Sequence, residues 1–202
     1  MRIIGLCGGS GSGKGAVAAF FNAYGIPSID TDAVYHEITS SASPCLRELA
    51  ARFGDGIIKD GALDRAALRA IVFTDEDFER KHRDLCSITH RHVLMRTREI
   101  LSEYDKMGKS AVIVDAPMLF ESGFDSECDE IVCVISDENL RIARIMLRDG
   151  IGFEDARRRI ASQKSDEFLK AHSDHVIIND GDLSALEAEA HRVAEKILKN
   201  KN

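Results

Sequence analysis

Gly8, four further residues and then Gly13-Lys14 form the stretch of this sequence whose types and spacing most directly suggest chemistry. That spacing belongs to loops whose backbone N–H groups wrap a phosphate while the lysine reaches its terminal oxygens. A Ser or Thr normally follows and gives its hydroxyl to the magnesium that accompanies a nucleotide. Here Gly15 and Ala16 follow instead. Ser10 and Ser12 lie inside the loop, but neither is at the metal-facing position. Magnesium keeps several of its waters in most nucleotide sites, so a water held by a carboxylate can take the place of that hydroxyl. Gly15 therefore predicts weaker metal binding and leaves the nucleotide assignment standing.

Carboxylates for that role are expected at the carboxyl ends of strands, where open α/β sheets bind ligands. Asp115 directly follows the apolar run AVIV, as a second acidic motif would, and is a candidate metal residue acting through water. Asp30 and Asp32 follow another short apolar run, in IDTD. An aspartate at a strand end also caps a following helix. Two of them at i and i+2 beside a phosphate loop suggest that one caps and the other meets substrate. Arg144 and Arg148, at i and i+4, share one face of a predicted helix. That spacing fits both a clamp over phosphates and a solvated helix surface, since Arg141, Arg157, Arg158 and Arg159 make arginine common in this region.

The elements that must position these groups follow from the apolar pattern. Arg2–Leu6, Ile26–Ile29, Ala111–Val114, Glu130–Ile135 and His175–Ile178 read as short buried strands, and Lys14–Ala23 as an amphipathic helix stopping near Gly25. Another helical pattern, long and charged, runs from about Asp75 to Tyr104. Continuous apolar strands separated by helices predict an α/β fold with a parallel sheet covered on both faces. About eighty residues between Asp30 and Ala111 hold no convincing strand, too long for an ordinary crossover, and read as a helical insertion.

The chain has 202 residues, 44% hydrophobic and 30% charged, the composition of one globular domain. Its formal net charge of -7 argues against broad nucleic-acid binding. Five scattered cysteines, none in a C-x-x-C pair, predict reduced thiols in the cytoplasm rather than a disulfide framework or a zinc site. The apolar run at the N-terminus is too short for a secretion signal, and no stretch approaches a membrane span. The partners expected are small molecules, with no nucleic acid and no membrane, and the chain is expected to be a monomer or weak homo-oligomer.

Several segments, in order, resemble one family: GLCGGSGSGKG, IDTDAVYHEI, KDGALDRAALRAIVF, DAPMLFESG, RIARIMLRDG, RRRIASQ and HVIINDGDLSAL. Together they resemble dephospho-CoA kinase, over nearly the whole chain. The resemblance implies a three-layer P-loop kinase fold with a parallel five-stranded sheet in the order 2-3-1-4-5. It implies a single domain over 1–202, a helical substrate-binding insertion at about 31–110 and a lid at about 141–170. The reaction implied is transfer of the γ-phosphate of ATP, with Mg²⁺, to the ribose 3′-hydroxyl of dephospho-CoA. Asp32 aligns with the family aspartate that orients or deprotonates that hydroxyl. Gly8 and Gly11 to Ala16 (Gly11, Ser12, Gly13, Lys14, Gly15, Ala16) align with its ATP-binding segment. Asn179 falls where related kinases set a loop against adenine. Lys14, Arg144 and Arg148 take catalytic places around the phosphates, and His90, Pro117 and Glu121 fall on the substrate side. Met118, Leu119 and Phe120 read as packing residues.

Two departures stand out. Gly15 and Ala16 replace the hydroxyl residues after the lysine, and His36 stands where arginine is expected after the D-x-D segment. Another P-loop nucleoside or metabolite kinase shares the loop and the arginines, and a nucleotide-binding regulatory protein without transfer activity fits Gly15. A GTPase lacks its N-K-x-D signal.

Overall fold

The computed structural model describes residues 1–73 and 77–199. The run RIIGLC becomes β1, Arg2–Cys7, and its last four residues are buried on both sides, as a central parallel strand requires. The chain then turns through the glycine-rich loop into α1, Lys14–Ala23, and reaches a three-residue strand, β2, Ser28–Asp30.

Two compact units follow from the contacts, Met1–Asp30 with Glu103–Asn202, and Thr31–Ser102. The first unit carries the sheet. Its other strands are β5, Ala111–Asp115, β6, Glu130–Ile135, and β7, His175–Ile178. The order is β2-β5-β1-β6-β7, with every pairing parallel. Counted within this sheet alone, that is the order 2-3-1-4-5. Register aligns Leu6 of β1 with Asp115 of β5, and Asp30 of β2 with the same Asp115, so two carboxylates finish adjacent strands at one edge. The helices of this unit are α1, α6 (Glu138–Asp149), α7 (Phe153–Ala161), α8 (Asp166–Ala171) and α9 (Leu183–Lys199). Val17 and Phe21 of α1 and Leu186, Val193 and Ile197 of α9 pack on Ile4, Leu6, Ile113 and Val132 of the sheet. Phe21 is wholly buried there, and truncation of such a residue to alanine costs about 3–5 kcal/mol.

The second unit holds α2 (Thr31–Thr39), α3 (Pro44–Phe53), α4 (Arg65–Val72) and most of α5 (Phe78–Lys106). Local chemistry sets their starts. Ser43 accepts the N–H of Leu46 ahead of Pro44, and Asp64 accepts those of Ala66 and Ala67. Cys45, Leu49, Ile57, Leu68, Val72 and Ile88 form its core. The start expected for the long charged helix, near Asp75, lies outside the described residues.

One element departs from expectation. Ile58–Lys59 (β3) and Ala62–Leu63 (β4) pair as a small antiparallel hairpin in a stretch read as strandless. Its turn is Asp60-Gly61, both at positive φ (51° and 78°), the backbone that a two-residue hairpin turn needs. The other strands fall within a residue or two of their expected places.

Candidate active site

Among the helices whose N-caps are characterised, α3, α4, α6 and α8 each start on a Ser or Asp side chain that accepts backbone N–H groups. Helix α1 starts on Gly13 in the left-handed region, with no side-chain cap and no acidic residue in its first turn. Its leading N–H groups are therefore left for an external acceptor, and the positive end of the helix dipole points the same way. A helix end of this kind attracts anions. Gly13 is required twice over: φ is 96°, and a methyl group there would lie 2.1 Å from Nδ2 of Asn179. Ser12 is buried and its hydroxyl has no hydrogen-bond partner, a cost of about 1–3 kcal/mol that a bound polar group would remove.

Three successive carbonyls of the loop are each held by a side chain. Arg141 Nε donates to Ser10 O at 3.0 Å, Arg144 Nη1 to Gly11 O at 3.1 Å, and Asn179 Nδ2 to Ser12 O at 2.7 Å. Peptide planarity then turns the N–H groups of Gly11, Ser12 and Gly13 to the opposite side. The Ser12 N–H closes the loop on Gly9 O at 3.1 Å. Those of Gly11 and Gly13, with the first turn of α1, make the concave donor surface that phosphates occupy.

Lys14, the first residue of α1, is ion-paired to Asp115, the last residue of β5. Asp115 is 8% exposed, so both charges lie where solvent screens them weakly. At Gly15 an added Cβ would meet nothing within 4 Å. No group of three or more His, Cys, Asp or Glu residues able to hold a metal exists among the described residues. Magnesium in nucleotide sites does not need one, since phosphates, waters and one or two carboxylates complete its shell. Asp115, with Asp30 beside it in register, fits that donor set.

The arginines of α6 divide by environment. Arg144 is engaged on both terminal nitrogens by Gly11 O, Ser136 Oγ and Asn179 O, which sets it behind the loop. Arg148 has a side chain 59% exposed; it pairs with Asp149 at 2.7 Å and reaches Ser10 Oγ at 3.4 Å. Arg148 and Arg159 together hold the Asp149 carboxyl down to about 2. Arg141, read from sequence as one arginine among many, is 4% exposed and directly touches the loop. Gln163, to which sequence assigned no contact, accepts the Ser10 N–H at 2.9 Å.

Beside the loop lies a cleft of about 200 Å³ whose walls include Cys7, Pro117, Met118, Glu121, Gln163 and Lys164. Glu121 and Lys164 face each other at 3.8 Å. Leu119 is buried as expected, but Met118 is 45% exposed and lines the cleft rather than the core. Phe120 packs edge-on against Phe168, which stacks on His172 with centroids 4.0 Å apart.

Within the second unit, Asp32 lies in the first turn of α2, two residues past the end of β2. His36, on the same helix, bonds through Nδ1 to Nη2 of Arg65 at 2.5 Å. A guanidinium has no lone pair to offer, so Nδ1 is the acceptor and Arg65 supplies the positive charge at this position. His90 is half-buried on α5, and His92 bonds Glu48 at 2.8 Å.

A glycine-rich turn from the central strand of a five-stranded parallel sheet into an uncapped helix, with lysine and a strand-end aspartate in contact, defines a P-loop nucleotide-binding fold. Comparison with known proteins narrows the class. The family model described as CoaE, dephospho-CoA kinase, matches residues 2–185. A dephospho-CoA kinase from Corynebacterium glutamicum is 38% identical over 203 residues, covering 100% of both chains. Two solved structures share the fold over the full length. TT1252 from Thermus thermophilus has a TM-score of 0.81 at 29% identity, covering 98% of each chain. Dephospho-CoA kinase from Campylobacter jejuni has a TM-score of 0.74 at 25% identity, covering 100% of each. This chain belongs to the dephospho-CoA kinase family.

Proposed function

We infer that the protein transfers the γ-phosphoryl group of ATP to the ribose 3′-hydroxyl of dephospho-CoA, giving CoA and ADP, the last step of coenzyme A synthesis. The observation that carries this reading is the full-length family match on a chain whose α1 begins uncapped at Lys14, with Asp115 beside it. Phosphoryl transfer needs alignment and charge neutralisation more than covalent help from the protein.

In this reading the N–H groups of Gly11, Gly13, Lys14 and Gly15 receive the β- and γ-phosphate oxygens, those of Ser12 and Ala16 being held by Gly9 O and Gly13 O. Those oxygens replace Asp115 as the counter-charge of Lys14. Asp115 would hold Mg²⁺ through water, Gly15 giving no ligand, and the ion would supply neutralisation of the β/γ charge. Asp32 orients the 3′-hydroxyl and takes its proton as the new P–O bond forms, while the bond to the ADP oxygen breaks. Arg148, the most exposed of the three α6 arginines on the loop side, is the one that can swing from Asp149 over the phosphates. Arg144 and Asn179 act from behind the loop, through its carbonyls. Residues 141–170 form the lid, and Pro117 and Glu121 with His90 serve the acceptor. A cytoplasmic location belongs to the same reading, supported by five free thiols.

The test is acceptor choice. Purified protein is incubated with ATP and Mg²⁺ and, separately, dephospho-CoA, adenosine, shikimate or no acceptor, with products identified by mass. Phosphorylation of dephospho-CoA alone supports the reading. Preferential phosphorylation of another acceptor assigns the chain to a different P-loop kinase activity.

A further inference from the structure

Arg141 joins Ser10 to the wall of the cleft through a closed ring of hydrogen bonds. Its Nε donates to Ser10 O at 3.0 Å, its Nη2 to Gln163 Oε1 at 3.4 Å, and that same Oε1 accepts the Ser10 N–H at 2.9 Å. Nη1 pairs with Asp166 Oδ1 at 3.0 Å, in the first turn of α8. Both backbone groups of one loop residue are thus fixed by one guanidinium and its amide partner. Each belongs to a different peptide plane. Holding the Ser10 N–H sets the Gly9 carbonyl, which receives the Ser12 N–H; holding the Ser10 carbonyl sets the Gly11 N–H.

The loop is shaped to admit this side chain. A methyl group at Gly9 would lie 2.1 Å from Nη2 of Arg141, so glycine is needed there for close approach. Burial of a guanidinium at 4% exposure is tolerated only when its donors are paired, as they are here by a carbonyl, a carboxylate and an amide oxygen. Nothing in the chemistry proposed above uses Arg141. Its donors face the back of the loop, and its partners Gln163 and Asp166 belong to the segment whose Gln163 and Lys164 line the cleft.

We propose that Arg141 is a positioning residue that sets the direction of the Gly11 N–H and locks the phosphate loop to the Gln163–Asp166 segment. The inference rests on the nucleotide reading of the loop. A lysine at this position keeps the charge but loses the planar fork, so it can hold Ser10 O or Asp166 but not the ring.

The test is steady-state kinetics and ADP calorimetry on Arg141→Lys, Asp166→Asn and Lys14→Ala, with Tm measured for each. For Arg141→Lys, KM for ATP and Kd for ADP rise about tenfold while KM for dephospho-CoA stays within about twofold. Asp166→Asn keeps the guanidinium but releases one anchor and shows the same pattern at about threefold. It also supplies the answer should Arg141→Lys fail to fold. A purely structural role would lower Tm with ATP KM and ADP Kd unchanged, and that result overturns the proposal. If Lys14→Ala also leaves both constants unchanged, the nucleotide reading beneath it falls as well.

Discussion

Lys14 and Asp115 face each other across the carboxyl end of the sheet, the lysine opening α1 and the aspartate closing β5, with side chains only 16% and 11% exposed. Removing Asp115 takes the counter-charge from Lys14, and breaking such a pair costs about 3–5 kcal/mol where burial is complete. Asp115→Asn is expected to destabilise by about 3 kcal/mol, and the double variant with Lys14→Met by less than the sum of the singles. Urea unfolding of the four proteins measures both. Additive losses would show that the two charges do not act as a pair.

Lys14→Ala is further expected to raise KM for ATP by about tenfold or more, since no other cation opens α1.

Gly15 has open space around it, so Gly15→Ser places a hydroxyl at the usual metal position without displacing a neighbour. The expected outcome is half-maximal activity at several-fold lower Mg²⁺, with Tm unchanged or slightly raised because serine is a better helix residue than glycine. A titration of activity against free Mg²⁺ reads this directly. An unshifted curve would mean that the metal is not held from this side.

Asp32→Asn keeps size and polarity but cannot accept the proton. Loss of a positioned general base typically costs about 10²–10⁴ in rate. Turnover should fall by that order with Tm and KM for ATP preserved; near-normal turnover would remove Asp32 from the proton transfer.

His175 predicts a pH dependence of stability unrelated to catalysis. Burial, aided by Arg2, Arg192 and Lys196, holds its imidazole below the usual histidine range, against the opposing pull of Asp174. Glu130 bonds Nε2 at 2.5 Å but also pairs with Arg2, so its charge is shared. The unfolded chain takes up the proton near pH 6.5, before the folded chain does. Stability from this group is therefore complete above that value and declines as pH falls through the folded one. Asp149, held at about 2, titrates too low to contribute to that decline. Thermal melts from pH 8 to pH 5 should show a fall in Tm that His175→Gln reduces; an equal fall in the variant would place the titration elsewhere.

The sheet was legible because apolar runs such as AVIV and EIVCVI have no other use in a chain of this composition. The phosphate loop was legible because glycine spacing reports backbone geometry directly. The hairpin was missed since two-residue strands show no periodicity, although Asp60-Gly61 carried its turn signal. Arg141 and Gln163 were missed for a different reason. Their importance comes from the approach of α6 and of the turn between α7 and α8 to the loop, and nothing local separates a buried arginine from the solvated ones around it. Residues 141, 144 and 148 at i, i+3 and i+7 do share one helix face, a pattern that could have been weighed against the glycines opposite. Asn179, expected where a loop meets adenine, bonds Ser12 O through Nδ2.

The most direct measurement of the central claim follows the label from ATP carrying a radioactive γ-phosphate, incubated with Mg²⁺ and dephospho-CoA. The account predicts stoichiometric label in CoA at the 3′-position, dependent on Lys14 and Asp32. Label released only as inorganic phosphate, or remaining in ATP although ATP binds, would contradict it.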